Sequence, residues 1–377
     1  MKRSKILIIF LGNPAHDSRS LKIFKSLSDL GYTVRIICAH QPGENFLNHP
    51  CILYVKIKSF KRAFFRILMF YIKALPLVLK EKTDIVIASD LFSLSLAWLA
   101  SKKNNKAKLV YDSREIYSAL ASLHRRKFKQ WLITKYETFF ALNSNLILTV
   151  NESLNKFLSD KFYNKKIHTL HNFPLKKDET KLFIIPQKFF SPDSILLVYF
   201  GLFHPGRGLN LYFTLIEKLR HEFANIKLLL IGKGELKSEI ENEIKKRNLQ
   251  NEVLIFGPYS PEQYILMPSV KKIIGLCVIE PLGLSYFYSL PNKVFEYIQH
   301  QIPFIASDFP EIRNIVRKYN LGILVNPTNF EDVFSATLEL IINDDLYENL
   351  KQNCKIALNE LNWESEIEKF HEVIKSL

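Results

Sequence analysis

The sequence predicts an α/β protein built as two doubly wound domains facing one another across a cleft. Three observations carry that prediction. At 377 residues the chain exceeds one ordinary core and suits two domains. Short apolar runs without polar alternation recur between longer stretches of helical period, which implies parallel sheets covered on both faces. This series occurs twice, and between the two occurrences, over residues 176–192, the periodicity gives way to charges and prolines.

In the first series, residues 5–11 read as a buried strand. Residues 18–30 read as a helix closed by Gly31, and 33–38 as the next strand. Residues 84–88, 108–111 and 146–150 repeat the strand pattern with helical segments between them. The second series places strands at 195–200, 227–231, 253–256, 273–276, 304–306 and 322–325. Ser260 to Gln263 and Thr328 to Glu331 fit capping boxes. The expected domains are 1–180 and 190–362, with a last helix over 363–377 packing back on the first. Ligands of such sheets bind at the carboxyl ends of the strands, so function is sought in those loops.

Composition narrows the classes. Hydrophobic residues make up 47% and charged residues 24%, which suits a folded globular protein. Cys38, Cys51, Cys277 and Cys354 lie far apart without a Cys-x-x-Cys pair, so neither a disulfide framework nor a thiolate zinc site is indicated, and a cytoplasmic setting is expected. The apolar run near the start lacks a small-residue cleavage site and reads as a strand. The longest apolar stretch, 63–79, is interrupted by Arg66, Lys73 and Pro76. Charge is uneven. Residues 1–190 hold 33 Lys and Arg against 13 Asp and Glu, a net of +20, and the remainder holds 19 against 24, a net of −5, giving the total of +15. Such a field points to an anionic membrane surface, a nucleic acid or a phosphorylated partner. Basic and large apolar residues interleave over 60–80 and again over 124–131, the pattern of an interfacial helix, so peripheral attachment to the inner face of a membrane is expected.

The chemistry concentrates in SLPNKVFEY, residues 289–297. Pro291 suits a first helical turn with Ser289 or Leu290 at its mouth, Asn292 and Lys293 inside it, and Glu296 about one turn on. Unpaired amides and the macrodipole of that terminus make a diphosphate site, and a carboxylate can accept from two vicinal hydroxyls. A second segment, VYFGLFHPGRG at 198–208, runs from a strand through Gly201, Gly206, Arg207 and Gly208 into a helix. Arg207 can grip phosphate oxygens through two bonds. In LLIGKGE at 229–235, Gly232, Lys233 and Gly234 form a turn that either approaches a nucleotide or needs a left-handed glycine.

With 303–313 (PFIASDFPEIR) following, these segments resemble the glycosyltransferase family 4 enzymes, and the resemblance covers nearly the whole chain. It implies the GT-B architecture of two Rossmann-like domains, a nucleotide-sugar donor such as a UDP- or GDP-sugar held by the C-terminal half, no metal or other cofactor, and retention of anomeric configuration. By that resemblance Glu296 is the second glutamate of a Glu-x7-Glu element and binds the ribose, while Arg207 binds the donor phosphates. Phe256 and Pro258 border the base. Two departures fall here: Tyr288 occupies the first glutamate position and Leu202 the position of a second basic residue. On the acceptor side, Gly12, Asn13, Asp17 and Arg19 resemble one loop and Asp112 to Glu115 another, in which Arg114 replaces a histidine near the reacting sugar. Asp17 reads equally as a helix N-cap. Arg114 is expected to stabilise anionic phosphate.

The implied reaction moves a sugar to an acceptor hydroxyl, lipid-linked or saccharide, in cell-surface polysaccharide or glycolipid biosynthesis. Arg207, Lys293 and the helix amides would stabilise the diphosphate leaving group. No Asp-x-Asp element is present for a metal. A dinucleotide enzyme is disfavoured because the first loop lacks Gly-x-Gly-x-x-Gly. A nucleotide-sugar epimerase and a non-catalytic nucleotide-sugar-binding protein remain as rivals. No aromatic-basic motif supports nucleic-acid binding.

Overall fold

Lys5–Phe10 (β1) buries consecutive apolar side chains from Ile6 to Ile9, as a central parallel strand must when helices cover both faces. The computed structural model describes residues 4–58, 63–105, 107–120, 123, 126–175, 181–259 and 263–377. These divide into two units, Met1–Asn172 with Glu366–Leu377, and Phe173–Ser365.

The first unit continues from β1 through α1 (Ser18–Asp29), β2 (Thr33–His40), β3 (Ile52–Lys56), α2 (Ala63–Lys80), β4 (Ile85–Ala88) and α3 (Leu94–Lys103). It then adds β5 (Lys108–Asp112), α4 (Lys127–Leu142), β6 (Leu146–Thr149), α5 (Glu152–Lys161) and β7 (Ile167–Thr169). The strands form one parallel sheet in the order β3-β2-β1-β4-β5-β6-β7, so the winding direction reverses between β1 and β4.

The second unit holds β8 (Leu182–Ile184), β9 (Ile195–Leu202), α6 (Leu209–Leu219), β10 (Ile226–Lys233), α7 (Lys237–Lys246), β11 (Val253–Phe256), β12 (Tyr264–Leu266) and β13 (Lys272–Cys277). It continues with α8 (Leu284–Phe287), α9 (Asn292–Gln299), β14 (Phe304–Ser307), α10 (Pro310–Tyr319), β15 (Gly322–Val325), α11 (Phe330–Ile342) and α12 (Asp344–Glu360). Its sheet is parallel in the order β11-β10-β9-β13-β14-β15, with the reversal between β9 and β13, and β8 and β12 form a separate parallel pair. The last helix, α13 (Trp363–Lys375), starts in this unit, where the Trp363 amide donates to the Pro174 carbonyl at 2.9 Å. From Glu366 on it belongs to the first unit, where the Glu366 carboxylate accepts the His171 amide at 2.7 Å.

The structure adds strands that the sequence reading did not place. β3, β7, β8 and β12 are only three to five residues long and incompletely buried, too short for their apolar residues to stand out as a run. The change of unit falls at Asn172/Phe173, ahead of the irregular segment taken as the linker; residues 176–180 of that segment lie outside the described residues. Thr328 is not a helix cap. Asn329 holds that position, its side chain accepting the Glu331 amide, while the Thr328 hydroxyl donates to Asn326. The box expected at Ser260 lies outside the described residues. All four cysteines are free. Among the described residues, no helix is long and apolar enough to cross a membrane.

Candidate active site

At the switch point of the second sheet the loops after β9 and β13 meet. The Glu280 amide donates to the Gly206 carbonyl at 3.0 Å. Gly208 begins α6 in the left-handed region, at φ 75°, and a Cβ there would lie 2.6 Å from the Val278 carbonyl oxygen, so only glycine lets the two loops close. No side chain caps α6. Arg207, half-buried, lays its guanidinium over the Tyr286 ring at 4.7 Å, a cation–π contact that fixes it against the following loop. It is therefore not a freely solvated loop residue. A cavity of about 520 Å³ opens beside it, bordered by His204, Asn210, Glu243 and Glu280.

The helix read from SLPNKVFEY is α9, but it begins one residue later than expected. Pro291 is its N-cap, in extended conformation, and no side chain caps it. Lys293 in its first turn is 6% exposed, and its ammonium nitrogen has no hydrogen-bond partner. It lies 3.6 Å from the centroid of the Tyr199 ring, and its Cε would stand 3.7 Å from a Cβ placed on Gly201. Burial depresses its pKa to about 7; Cys277 opposes the shift and Arg207 adds to it. Among the described residues no carboxylate pairs with this buried amine, so holding it charged is costly unless an anion arrives. Ser289 donates to the Tyr286 carbonyl at 2.7 Å and so stiffens the entrance. Tyr288 closes the short α8 and Leu290 is half-buried against the core.

Glu296, one turn below Lys293, pairs with the Tyr259 hydroxyl, whose pKa burial and then Glu296 raise well above the usual tyrosine value. Tyr259 follows Phe256 and Pro258, so the loop that borders the base in the resemblance reaches the glutamate through a side chain that the motif reading passed over. Gly232 and Gly234 are not left-handed. A Cβ on either would collide with the backbone of residues 201–203 on the neighbouring strand and loop, so these glycines serve close packing of β9 on β10. Lys233 and Leu202 are exposed at the same end of the sheet.

The first sheet's switch point is built the other way. Asp112 at the end of β5 is fully buried and accepts from Arg19 Nε at 3.0 and 3.1 Å and Nη2 at 2.7 Å, and from Arg114 Nε at 2.9 Å. Arg19 also donates to the Leu170 carbonyl at 2.5 Å. Arg114 spends its other nitrogens on Asp17 and on the Ser20 hydroxyl, each at 2.8 Å. Burial opposes its charge, but Asp17 and Asp112 outweigh that and raise its pKa. Asp17, against the rise that burial alone would bring, is lowered by Arg114, and it caps α1 by accepting the Ser20 amide at 3.1 Å.

Arg114, expected to stabilise an anionic phosphate, donates three of its five N–H groups within its own domain, to Asp112, Asp17 and Ser20. Arg19, Asp112 and Asp17 likewise form a scaffold. Asn13 caps the turn at 14–16 and ties it to the Asn45 carbonyl at 2.7 Å, while the Gly12 carbonyl accepts the Ala39 amide at 3.2 Å. Glu115 alone of the acidic acceptor-side candidates is exposed. Sequence reasoning missed Asp90, after β4, whose carboxylate accepts the Leu11 amide at 3.2 Å and the Ser93 amide at 2.6 Å. Burial raises its pKa against those hydrogen bonds, and no neighbouring motif marks it.

Two parallel-sheet domains of this topology, the second with Arg207 and the buried Lys293 at its switch point, have the architecture of the GT-B glycosyltransferases. The pattern described as "Glycosyl transferases group 1" matches residues 180–356 and that of "Glycosyltransferase Family 4" matches residues 21–173, and the chain belongs to this family. It is 25% identical to a chitobiosyldiphosphodolichol beta-mannosyltransferase of Debaryomyces hansenii, over 96% of this chain and 86% of that one. It is 23% identical to an alpha-1,4-N-acetyl-D-galactosaminyltransferase of Campylobacter jejuni that acts on an undecaprenol-diphosphate glycan, over 80% and 77%. The fold matches a sucrose-phosphate synthase of Thermosynechococcus elongatus with TM-score 0.74 at 14% identity, covering 99% of each chain. It matches Anabaena HepE in complex with UDP and glucose with TM-score 0.69 at 14% identity, covering both chains fully. The epimerase and non-catalytic readings find no support among these relatives.

Proposed function

We propose that this enzyme moves a hexosyl group from a UDP- or GDP-sugar to a hydroxyl of a lipid-linked or saccharide acceptor, without a metal, in cell-surface glycolipid or polysaccharide assembly. A lipid-linked acceptor would place the reaction at the cytoplasmic face of the membrane. The observation that carries the reading is Lys293, a buried ammonium without a partner in the first turn of α9, beside Arg207.

Transfer breaks the bond from the anomeric carbon to the diphosphate oxygen and forms one to the acceptor oxygen, whose proton is released. Negative charge grows on the leaving diphosphate. Arg207, Lys293 and the uncapped amides of α9 supply positive potential from fixed positions, which is the economical way to stabilise that charge. Glu296 accepts from the ribose hydroxyls and sets the nucleotide's depth. Tyr288, where the family has a glutamate, offers a neutral hydroxyl to the donor sugar, so a donor less dependent on a charged contact is expected.

The resemblance implies retention. A second stereochemical reading is favoured by one finding: three relatives aligned over 96% of the chain are named beta-mannosyltransferases, and a β product from an α-linked donor requires inversion. The test is incubation with nucleotide sugars and lipid-diphosphate saccharides. Release of nucleoside diphosphate is measured first, and the anomeric proton coupling of the product then decides the stereochemistry. Glu296→Gln should raise the KM for the donor. No turnover with any donor, in protein that binds none of their nucleotides, would refute the proposal.

A further inference from the structure

Helices α2, α3 and α4 lie side by side. The Tyr71 hydroxyl on α2 donates to the Phe92 carbonyl at 2.7 Å and lies 2.6 Å from the Ser95 hydroxyl on α3 and 3.0 Å from the Tyr136 hydroxyl on α4. Trp98 of α3 packs edge-on against Phe139 and Phe140 of α4. The inner face of α2 already supplies the core through Phe70, Ala74 and Val78, all fully buried. Yet its outer face carries Phe64, Leu68 and Ile72 at four-residue spacing, 66%, 42% and 59% exposed. On α4, Phe128, Trp131 and Phe139 are 70%, 54% and 55% exposed, with Leu132 and Leu142 beside them. Single exposed apolar side chains are ordinary, but this set on two helices of one layer is not.

Charge identifies what covers it. Helices α2 and α4 carry three Lys or Arg each and α3 carries two, while the three together contain one acid, Glu137. Glu137 is 1% exposed and turned inward, pairing with Lys161 and accepting from the Tyr111 hydroxyl at 2.8 Å. These helices therefore present cations and large apolar groups and no carboxylate. A protein partner calls for a rim of mixed sign, whereas an acidic leaflet attracts uniform positive charge around inserted aromatics.

We propose that the outer faces of α2 and α4 dock the first unit on an anionic lipid bilayer, with Phe64, Ile72, Phe128 and Trp131 entering the interface and Lys127, Lys129 and Lys135 meeting the headgroup phosphates. Arg62, His124 and Arg125, which the sequence reading assigned to this surface, lie outside the described residues, and the surface stands without them. Docking needs neither donor nor acceptor, so its failure leaves the transferase reading intact, and loss of the transferase reading leaves docking intact.

The experiment is co-sedimentation of the full chain with vesicles of phosphatidylcholine, alone or equimolar with phosphatidylglycerol, alongside tryptophan emission. Of the three tryptophans Trp131 is exposed, Trp363 is 1% exposed and Trp98 is half-buried against Phe139 and Phe140, so the part of a blue shift that is lost on replacing Trp131 reports its insertion. The expected result is binding that requires phosphatidylglycerol, weakens with salt, and falls on the order of 100-fold in a triple Lys127→Gln, Lys129→Gln, Lys135→Gln variant. Trp131→Ser should remove most of the shift and weaken binding. A control that exchanges Lys237 and Lys246 of α7 for Gln should bind as the parent does. Circular dichroism confirms that each variant is folded. Equal binding to neutral vesicles, no binding to either, or a triple variant that binds like the parent would overturn the proposal; self-association through this face in sedimentation velocity would also overturn it, replacing the bilayer with a second copy.

Discussion

The two switch points use the same topology and opposite electrostatics. After β1, β4 and β5, each charge of the central cluster is answered from within: Arg19 and Arg114 against Asp112, and Arg114 against Asp17. After β9 and β13, Lys293 is buried nearly as deeply as Arg19 but has no carboxylate partner among the described residues. A completed cluster is a scaffold, and an uncompleted one either sheds its proton or takes a ligand, because burying an unpaired charge costs several kcal/mol. Motif position alone would have assigned chemistry to both.

The largest effect should come from breaking the completed cluster. Asp112→Ala leaves two guanidinium groups facing each other in a buried site, and the loss expected for a broken buried pair is about 3–5 kcal/mol. Urea denaturation should show it as a lower midpoint with an unchanged slope. If Asp112→Ala keeps the parent stability but loses transfer, the first switch point is a reaction site and the contrast fails.

Next is Arg207→Ala, which should cut kcat by roughly 100-fold or more, as removal of one fixed donor to a developing anion does, with stability hardly changed. Stability loss with normal kcat would make its stacking on Tyr286 its main role.

Lys293 sharpens the comparison through pH. Its folded pKa of about 7 lies below the ordinary 10.5, so the unfolded chain binds the extra proton and stability should rise with pH across that window. A diphosphate reverses the preference. Binding then takes up a proton above pH 7, and affinity for a nucleoside diphosphate should weaken by up to about tenfold per unit as pH rises. Calorimetry in buffers of different ionisation enthalpy measures the uptake directly. Lys293→Met should flatten both profiles and be more stable than the parent at pH 7. Persistence of the pH dependence in that variant would move its origin elsewhere.

The architecture was legible because fully apolar strands such as 6–9 and 228–231 leave no other reading, and helix signals separate them. Strands as short and as incompletely buried as β3 and β7 carry no such pattern. The site was legible where a motif fixes local backbone, as with Gly208 and the start of α9. It was not legible where the partner lies far along the chain. Arg114 meets Asp17 across 97 residues, and Lys293 meets Tyr199 across a sheet, so a loop arginine reads as free and a helix lysine reads as outward until the fold joins them. Spacing likewise left Gly232 between approach to a nucleotide and a left-handed turn, whereas the fold crowds it against the Gly201 backbone without a left-handed φ.

The smallest expected effect is that of EDTA, which should leave transfer unchanged. A donor diphosphate needs its charge offset, and the enzymes that use a divalent ion for this supply carboxylates to hold it. On the proposed reading the offset at the second switch point comes instead from Arg207, Lys293 and the uncapped start of α9; among the described residues no cluster of His, Cys, Asp and Glu is arranged to hold an ion. The comparison predicts more than insensitivity. If the protein's own cations serve as the counter-charge, adding Mg²⁺ should mildly inhibit by sequestering the nucleotide sugar, and Arg207→Ala should become partly responsive to Mg²⁺ as the ion takes over some of the missing charge. Rates with EDTA, without additive and with Mg²⁺, for parent and Arg207→Ala, test this. A parent enzyme silenced by EDTA and restored by a divalent ion would mean that the unpaired lysine is not the counter-charge, and the contrast between the two switch points would lose its chemical meaning.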